Sequence, residues 1–112
     1  MRRKKKIAES NGGIDYQDCW NMDLRLAEII RTNLQSFLQA EEAGPQGYPG
    51  VLDFEPGNDK GYSEWVKIIR KMIYAFDQYV ITKWQIEKDP ETQARIKEGM
   101  ELFIKYFSYL WI

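Results

Sequence analysis

The chain is 112 residues long, which is enough for one folded domain with a single core. It contains no histidine and one cysteine, Cys19, which excludes histidine-based acid–base catalysis, histidine-containing metal sites and an intrachain disulfide. The formal net charge is −1, from 16 basic and 17 acidic residues.

The basic residues are unevenly distributed. Five of the 16 form the run Arg2, Arg3, Lys4, Lys5 and Lys6, which leaves 11 basic against 17 acidic residues, or −6, for positions 7–112. We expect residues 1–15 to be a flexible basic arm and residues 16–112 a single helical domain. Because the acidic body repels polyanions, nucleic-acid binding is expected to be weak at most. No long apolar run follows the charges, so we expect an unexported, cytoplasmic protein without membrane association.

The first predicted helix covers residues 22–42. Its apolar side chains recur at steps of three and four residues, and Gly44-Pro45 supplies a stop signal. Asp23, in the first turn, has two interpretations. It caps the helix start, which we favour, or it pairs with a cation from another helix. The apolar positions are Leu26, Ala27, Ile30, Leu34, Phe37 and Leu38.

A glycine- and proline-rich connection of about 20 residues follows, which is long for a compact domain and typical of functional or packed loops. We expect an ordered lid in which Tyr48 and Phe54, together with Val51 and Leu52, fold back over the helices, while Asp53 begins an acidic end that stays in water. Residues 53–64 match the frame of a calcium loop only in part, because glycine stands at a ligand position. No metal and no cofactor are therefore predicted.

The second predicted helix covers residues 64–86, with Ser63 as its cap and an apolar stripe along one face. The opposite face offers a candidate site for a phosphate or a nucleobase, because cations and an aromatic ring stand together there. The alternative, a solvated polar face, is favoured. The stripe contains Trp65, Ile68, Ile69, Met72, Ile73, Phe76, Tyr79 and Val80, and the candidate ligand residues are Lys67, Arg70, Lys71 and Tyr74.

The third predicted helix begins at Pro90, with Asp89 as its cap, and continues to residue 112. Its apolar arc exceeds half a turn, so either both other helices pack on it or part of it meets another subunit. Leu102, Tyr106 and Tyr109 form the candidate interface of a homo-oligomer, with burial under the long connection as the equal alternative. Gly99 predicts a close approach by a neighbour. The core stripe contains Ile96, Met100, Phe103, Ile104, Phe107, Leu110 and Trp111.

These patterns predict an all-α fold: a compact bundle of about three helices with a long ordered loop between helices one and two. The four tryptophans, Trp20, Trp65, Trp84 and Trp111, are expected to be core anchors. No glycine-rich phosphate loop, nucleophile elbow or buried carboxylate pair is recognisable. The sequence therefore favours a binding protein without catalytic residues.

Three segments carry a resemblance to a known family: DCWNMD at 18–23, WVKIIRKMIYAF at 65–76 and GMELFIKYFSYLW at 99–111. They resemble small proteins encoded by tailed bacteriophages, a family with no settled activity. The resemblance implies a role in the cytoplasm of an infected bacterium. There the chain would act as a counter-defence or host-takeover factor that blocks a bacterial host protein or sequesters a small signal molecule. The alternative is a structural or packaging accessory that self-assembles and contacts nucleic acid through its basic arm.

Overall fold

The computed structural model describes residues 19–44, 47–52 and 60–112. Within these ranges the chain is helical and forms no strand, which confirms the all-α prediction. No helix in the same ranges combines the length and apolar character that a membrane span needs. The elements are α1 (Met22–Ala43), a 3₁₀ turn (Gly50–Leu52), α2 (Lys60–Thr82), α3 (Pro90–Tyr106) and a second 3₁₀ turn (Phe107–Tyr109).

The boundaries of α2 differ from the prediction at both ends. It begins at Lys60, so Ser63 lies within its first turn and is not the cap. It ends at Thr82, where the Thr82 hydroxyl donates a hydrogen bond of 2.8 Å to the carbonyl of Gln78. A turn follows, closed by a bond of 3.1 Å from the Gln85 amide to the Thr82 carbonyl. These hydrogen bonds stabilise a turn where the apolar pattern predicted further helix.

The cap of α3 is confirmed. Asp89 accepts hydrogen bonds from the Thr92 amide at 3.1 Å and the Thr92 hydroxyl at 2.8 Å, and Pro90 occupies the first helical position. The α-helix stops at Tyr106, however, and the chain tightens into the 3₁₀ turn instead of continuing as an α-helix to residue 112.

The central helix is α2, not α3. Both α1 and α3 pack against α2, whereas no Cα of α1 lies within 8 Å of a Cα of α3. Trp65, on α2, joins the two sides: its ring meets Phe37 of α1 at 6.5 Å and Tyr106 of α3 at 5.7 Å between centroids. The expectation that both other helices pack on helix three is therefore wrong.

This arrangement leaves many predicted core residues exposed. Trp65 is buried, but Trp20, Trp84 and Trp111 are 58%, 72% and 72% exposed, so only one of the four tryptophans anchors the core. Leu26, Ile104 and Phe107, which the periodicity assigned to core stripes, are also exposed. The reason is geometric. An outer helix with a single helical neighbour covers a narrower arc than its apolar residues span.

The predicted close approach at Gly99 is confirmed. A Cβ atom at this position would lie 2.3 Å from the Lys71 carbonyl oxygen and 2.4 Å from the Ala75 Cβ. Both neighbours belong to α2, so Gly99 sets the distance between α2 and α3.

We predict that Gly99→Ala destabilises the protein by about 1–3 kcal/mol, because the added methyl group overpacks a contact whose neighbours are backbone and Cβ atoms. This loss outweighs the gain of about 1 kcal/mol in helix propensity. The matched control is Gly50→Ala, since nothing lies within 4 Å of the Cβ position there. Urea denaturation measures both variants, and equal stability of Gly99→Ala and wild type would contradict the prediction.

Candidate functional site

The predicted ligand face on α2 becomes one wall of a groove. Arg70, Lys71 and Tyr74 line a cavity of about 410 Å³ together with Arg95 and Glu98 of α3. The fourth predicted residue, Lys67, is exposed and does not line this cavity. The structure thus brings three of the four predicted residues together.

The cations of this groove already have carboxylate partners. Arg70 pairs with Glu42 at 3.7 Å, Lys71 with Glu98 at 3.2 Å, and Arg95 with Glu91 at 2.6 Å. Since about half or more of each side chain is exposed, these pairs are solvated. This geometry is that of a charge-balanced polar face, and an incoming anion would meet as many carboxylates as cations.

The three candidate interface residues do not share one outward surface. Tyr106 is buried beneath the Trp65 ring contact described above, Leu102 is half-buried and Tyr109 is exposed. Tyr106 therefore belongs to the core, which corrects its placement on a separate flank. Self-association itself stays a prediction.

The connection between α1 and α2 folds back in part. Leu52 is buried, and the Tyr48 ring lies against the backbone of Gly61, whereas Val51 is exposed. Asp53 and Phe54 lie outside the described residues, as do the basic arm and most of the calcium-loop window. In the described part of the chain, no group of three or more metal-ligating side chains is present.

A second cavity, of about 520 Å³, was not anticipated from the sequence; we call it the aromatic pocket. It lies where the end of α1, the connection, the start of α2 and the residues after α3 meet. The pocket contains one carboxyl group, that of Glu41, which is buried. Its main lining residues are Glu41, Tyr48, Trp65, Tyr109 and Trp111.

A third cavity, of about 320 Å³, lies between α1 and the end of α3; we call it the apolar groove. One polar side chain lines it, that of Asn33, and its amide donates a hydrogen bond of 2.8 Å to the Ile29 carbonyl within α1. The exposed arcs of the two outer helices are the sequence signal for this groove. The apolar residues are Ile29, Ile30, Leu34, Phe37, Phe103, Phe107 and Leu110.

Asp23 is an ion-pair partner, which corrects the favoured capping interpretation. Its carboxylate pairs with Lys83 and accepts a hydrogen bond of 2.5 Å from the Tyr79 hydroxyl. The hydrogen bonds from Lys83 and Tyr79 lower the pKa of Asp23 from 3.8 to about 2. The bond to Asp23 raises the pKa of Lys83. This cluster fastens the start of α1 to the end of α2, so its role is structural.

Comparison of the chain with protein-family models, with curated proteins and with solved structures finds no match.

We predict that the Asp23 cluster makes stability depend on pH. A carboxyl group with a lowered folded-state pKa contributes stability above its ordinary pKa of 3.8, and this contribution is lost as pH falls toward about 2. The gap in unfolding free energy between wild type and Asp23→Asn should therefore be largest near neutral pH and close between about pH 5 and pH 2. Urea denaturation across this range measures it, and a gap that persists at the acid end would contradict the assignment.

Proposed function

We propose that this chain is a non-catalytic binding protein that holds an amphipathic helix of a partner protein in the apolar groove. The observation that carries the proposal is the exposure of large apolar side chains along the groove, with Ile29 and Phe107 on its two walls. Exposed apolar surface of this kind is typical of sites where soluble proteins meet partners.

The shape of the groove suits a helix. Its walls are two helices that both rest on α2 without backbone contact to each other, so a further helix fits between them. Along α1, Leu26 and Phe37 are separated by about 16 Å of helix rise, or three turns. An amphipathic helix presents apolar side chains at matching intervals of three, four and seven residues.

The chemistry of the groove also favours an apolar partner surface. No charged side chain lines it, and Asn33 already uses its amide within α1. The groove therefore offers neither cations for a nucleic-acid backbone nor free polar groups for a polar ligand. Binding here would be driven by burial of apolar surface.

The resemblance to phage-encoded proteins suggests where such a partner is found. We propose that the partner is a bacterial host protein in the cytoplasm of an infected cell, and that the chain blocks it as a counter-defence or host-takeover factor. Occupying a helix-binding groove of this kind needs no catalytic residues. The structural or packaging alternative would instead place a second copy of this chain in the groove.

Ile29→Asp tests the proposal, because a charge placed in the groove must be desolvated when the partner helix binds. The matched control is Ile81→Asp, since Ile81 is similarly exposed (58% against 47%) but lies outside the groove. We expect Ile29→Asp to lower capture of the partner from a bacterial lysate at least about tenfold and Ile81→Asp to leave it unchanged.

The same variants separate the occupants. Equal capture by both variants would refute the proposal, whatever protein is captured. Sedimentation at tens of micromolar, roughly where a weak dimer is visible, tests the alternative. A wild-type dimer that Ile29→Asp alone dissolves would place a second copy in the groove and favour the structural accessory.

A further inference from the structure

We propose that the aromatic pocket binds an organic ammonium group, quaternary or methylated, with Glu41 as its counter-ion. This site is separate from the apolar groove and does not depend on the helix-binding proposal. The argument rests on the burial of Glu41, on the rings around it and on how firmly those rings are held.

Glu41 is an acidic side chain in an apolar setting. It lies in the last turn of α1, is only 5% exposed, and accepts a hydrogen bond of 3.1 Å from the Gly47 amide. No lysine or arginine of the described residues pairs with it, whereas the adjacent Glu42 is paired with Arg70. A buried carboxylate without a cation is costly, so a ligand cation would supply the missing partner.

The other walls of the pocket are aromatic. Tyr48 comes from the connection, Trp65 from α2, and Tyr109 and Trp111 from the residues at and after the second 3₁₀ turn. Aromatic faces attract cations, and cages of this type recognise quaternary ammonium groups. The volume of about 520 Å³ falls within the range of small-molecule sites.

The walls are held in place before any ligand arrives. The Tyr48 ring lies so close to Gly61 that a Cβ there would be 2.3 Å from a ring carbon. Tyr109 stacks on Tyr106 at 6.0 Å, and Tyr106 in turn contacts Trp65 at 5.7 Å. Binding therefore requires little ordering of these three side chains, which lowers its entropic cost.

The pocket discriminates by charge. A neutral apolar ligand would fill the aromatic space but would bury Glu41 further without compensating its charge. An anion would be repelled. The acidic character of this end of the bundle also acts on Tyr62, whose pKa is raised first by burial and then by the charges of Glu42 and Glu41. A cation with an apolar coat satisfies both the carboxylate and the rings.

The ammonium group has two sources, a free small molecule or a methylated lysine side chain on a protein. Choline serves as the probe for the first source and a short peptide containing trimethyllysine for the second. The tighter of the two identifies the source, and binding of either supports the proposal.

The direct test is a titration of the ¹⁵N-labelled full chain followed by NMR. Choline chloride, up to about 20 mM, should shift the Gly47 amide and the Trp65 indole signals, while sodium chloride at the same concentration should not. The matched ligand control is 3,3-dimethyl-1-butanol, which has the shape of choline without its charge. We expect it to bind at least about tenfold more weakly.

Variants assign the roles of the residues. Glu41→Gln removes the charge but keeps an oxygen that can accept from the Gly47 amide, and it should weaken choline binding at least about tenfold. Trp111→Leu should weaken it as well. Trp84→Leu is the matched control, because Trp84 is 72% exposed like Trp111 but lies outside the pocket.

Three results would overturn the proposal. The first is the absence of specific shifts with both choline and the trimethyllysine peptide. The second is equal binding of choline and its neutral isostere, which would make the pocket simply apolar. The third is full binding by Glu41→Gln with its spectrum otherwise unchanged, which would remove Glu41 as the counter-ion.

Discussion

The structure depends on one apolar stripe, that of α2. Trp65, Ile69 and Met72 are essentially inaccessible to solvent because α1 and α3 cover them from two sides. The outer helices make their helical contacts through α2 rather than with each other. Each is therefore held by its own set of contacts: Gly99 brings α3 against α2, and the Asp23 cluster fastens the start of α1 to the end of α2.

Both apolar cavities follow from this central position of α2. An outer helix that rests on one neighbour buries a narrow stripe, so the rest of its apolar arc is left to line a groove. At one end of the bundle, the connection after α1 and the residues after α3 close over Trp65 without filling the space above it. The apolar groove and the aromatic pocket are thus the two places where the three helices leave apolar surface uncovered.

Local features of this fold were predictable from the sequence, and the pairing between elements was not. The three helices, the Asp89 cap and the close approach at Gly99 follow from spacing and residue type within one segment. Periodicity shows which face of a helix is apolar but not what covers it. For this reason the central role of α2, the exposure of Trp84 and the pairing of Asp23 with Lys83 were misjudged. Residues that build the aromatic pocket, from Glu41 to Trp111, are spread over the chain, so no local spacing reveals them.

Charge pairing separates the two polar surfaces of the molecule. On the outer face of α2, Arg70 and Lys71 form the cationic cluster that the sequence suggests, yet the fold supplies each with a carboxylate, so a new anion gains little there. Glu41 is the reverse case, because it is one acidic residue among several in the sequence, and folding buries it with an amide but no cation among the described residues. A ligand gains most where the fold has removed water from a charge without replacing it. That condition is met by Glu41 and not by the more conspicuous basic cluster.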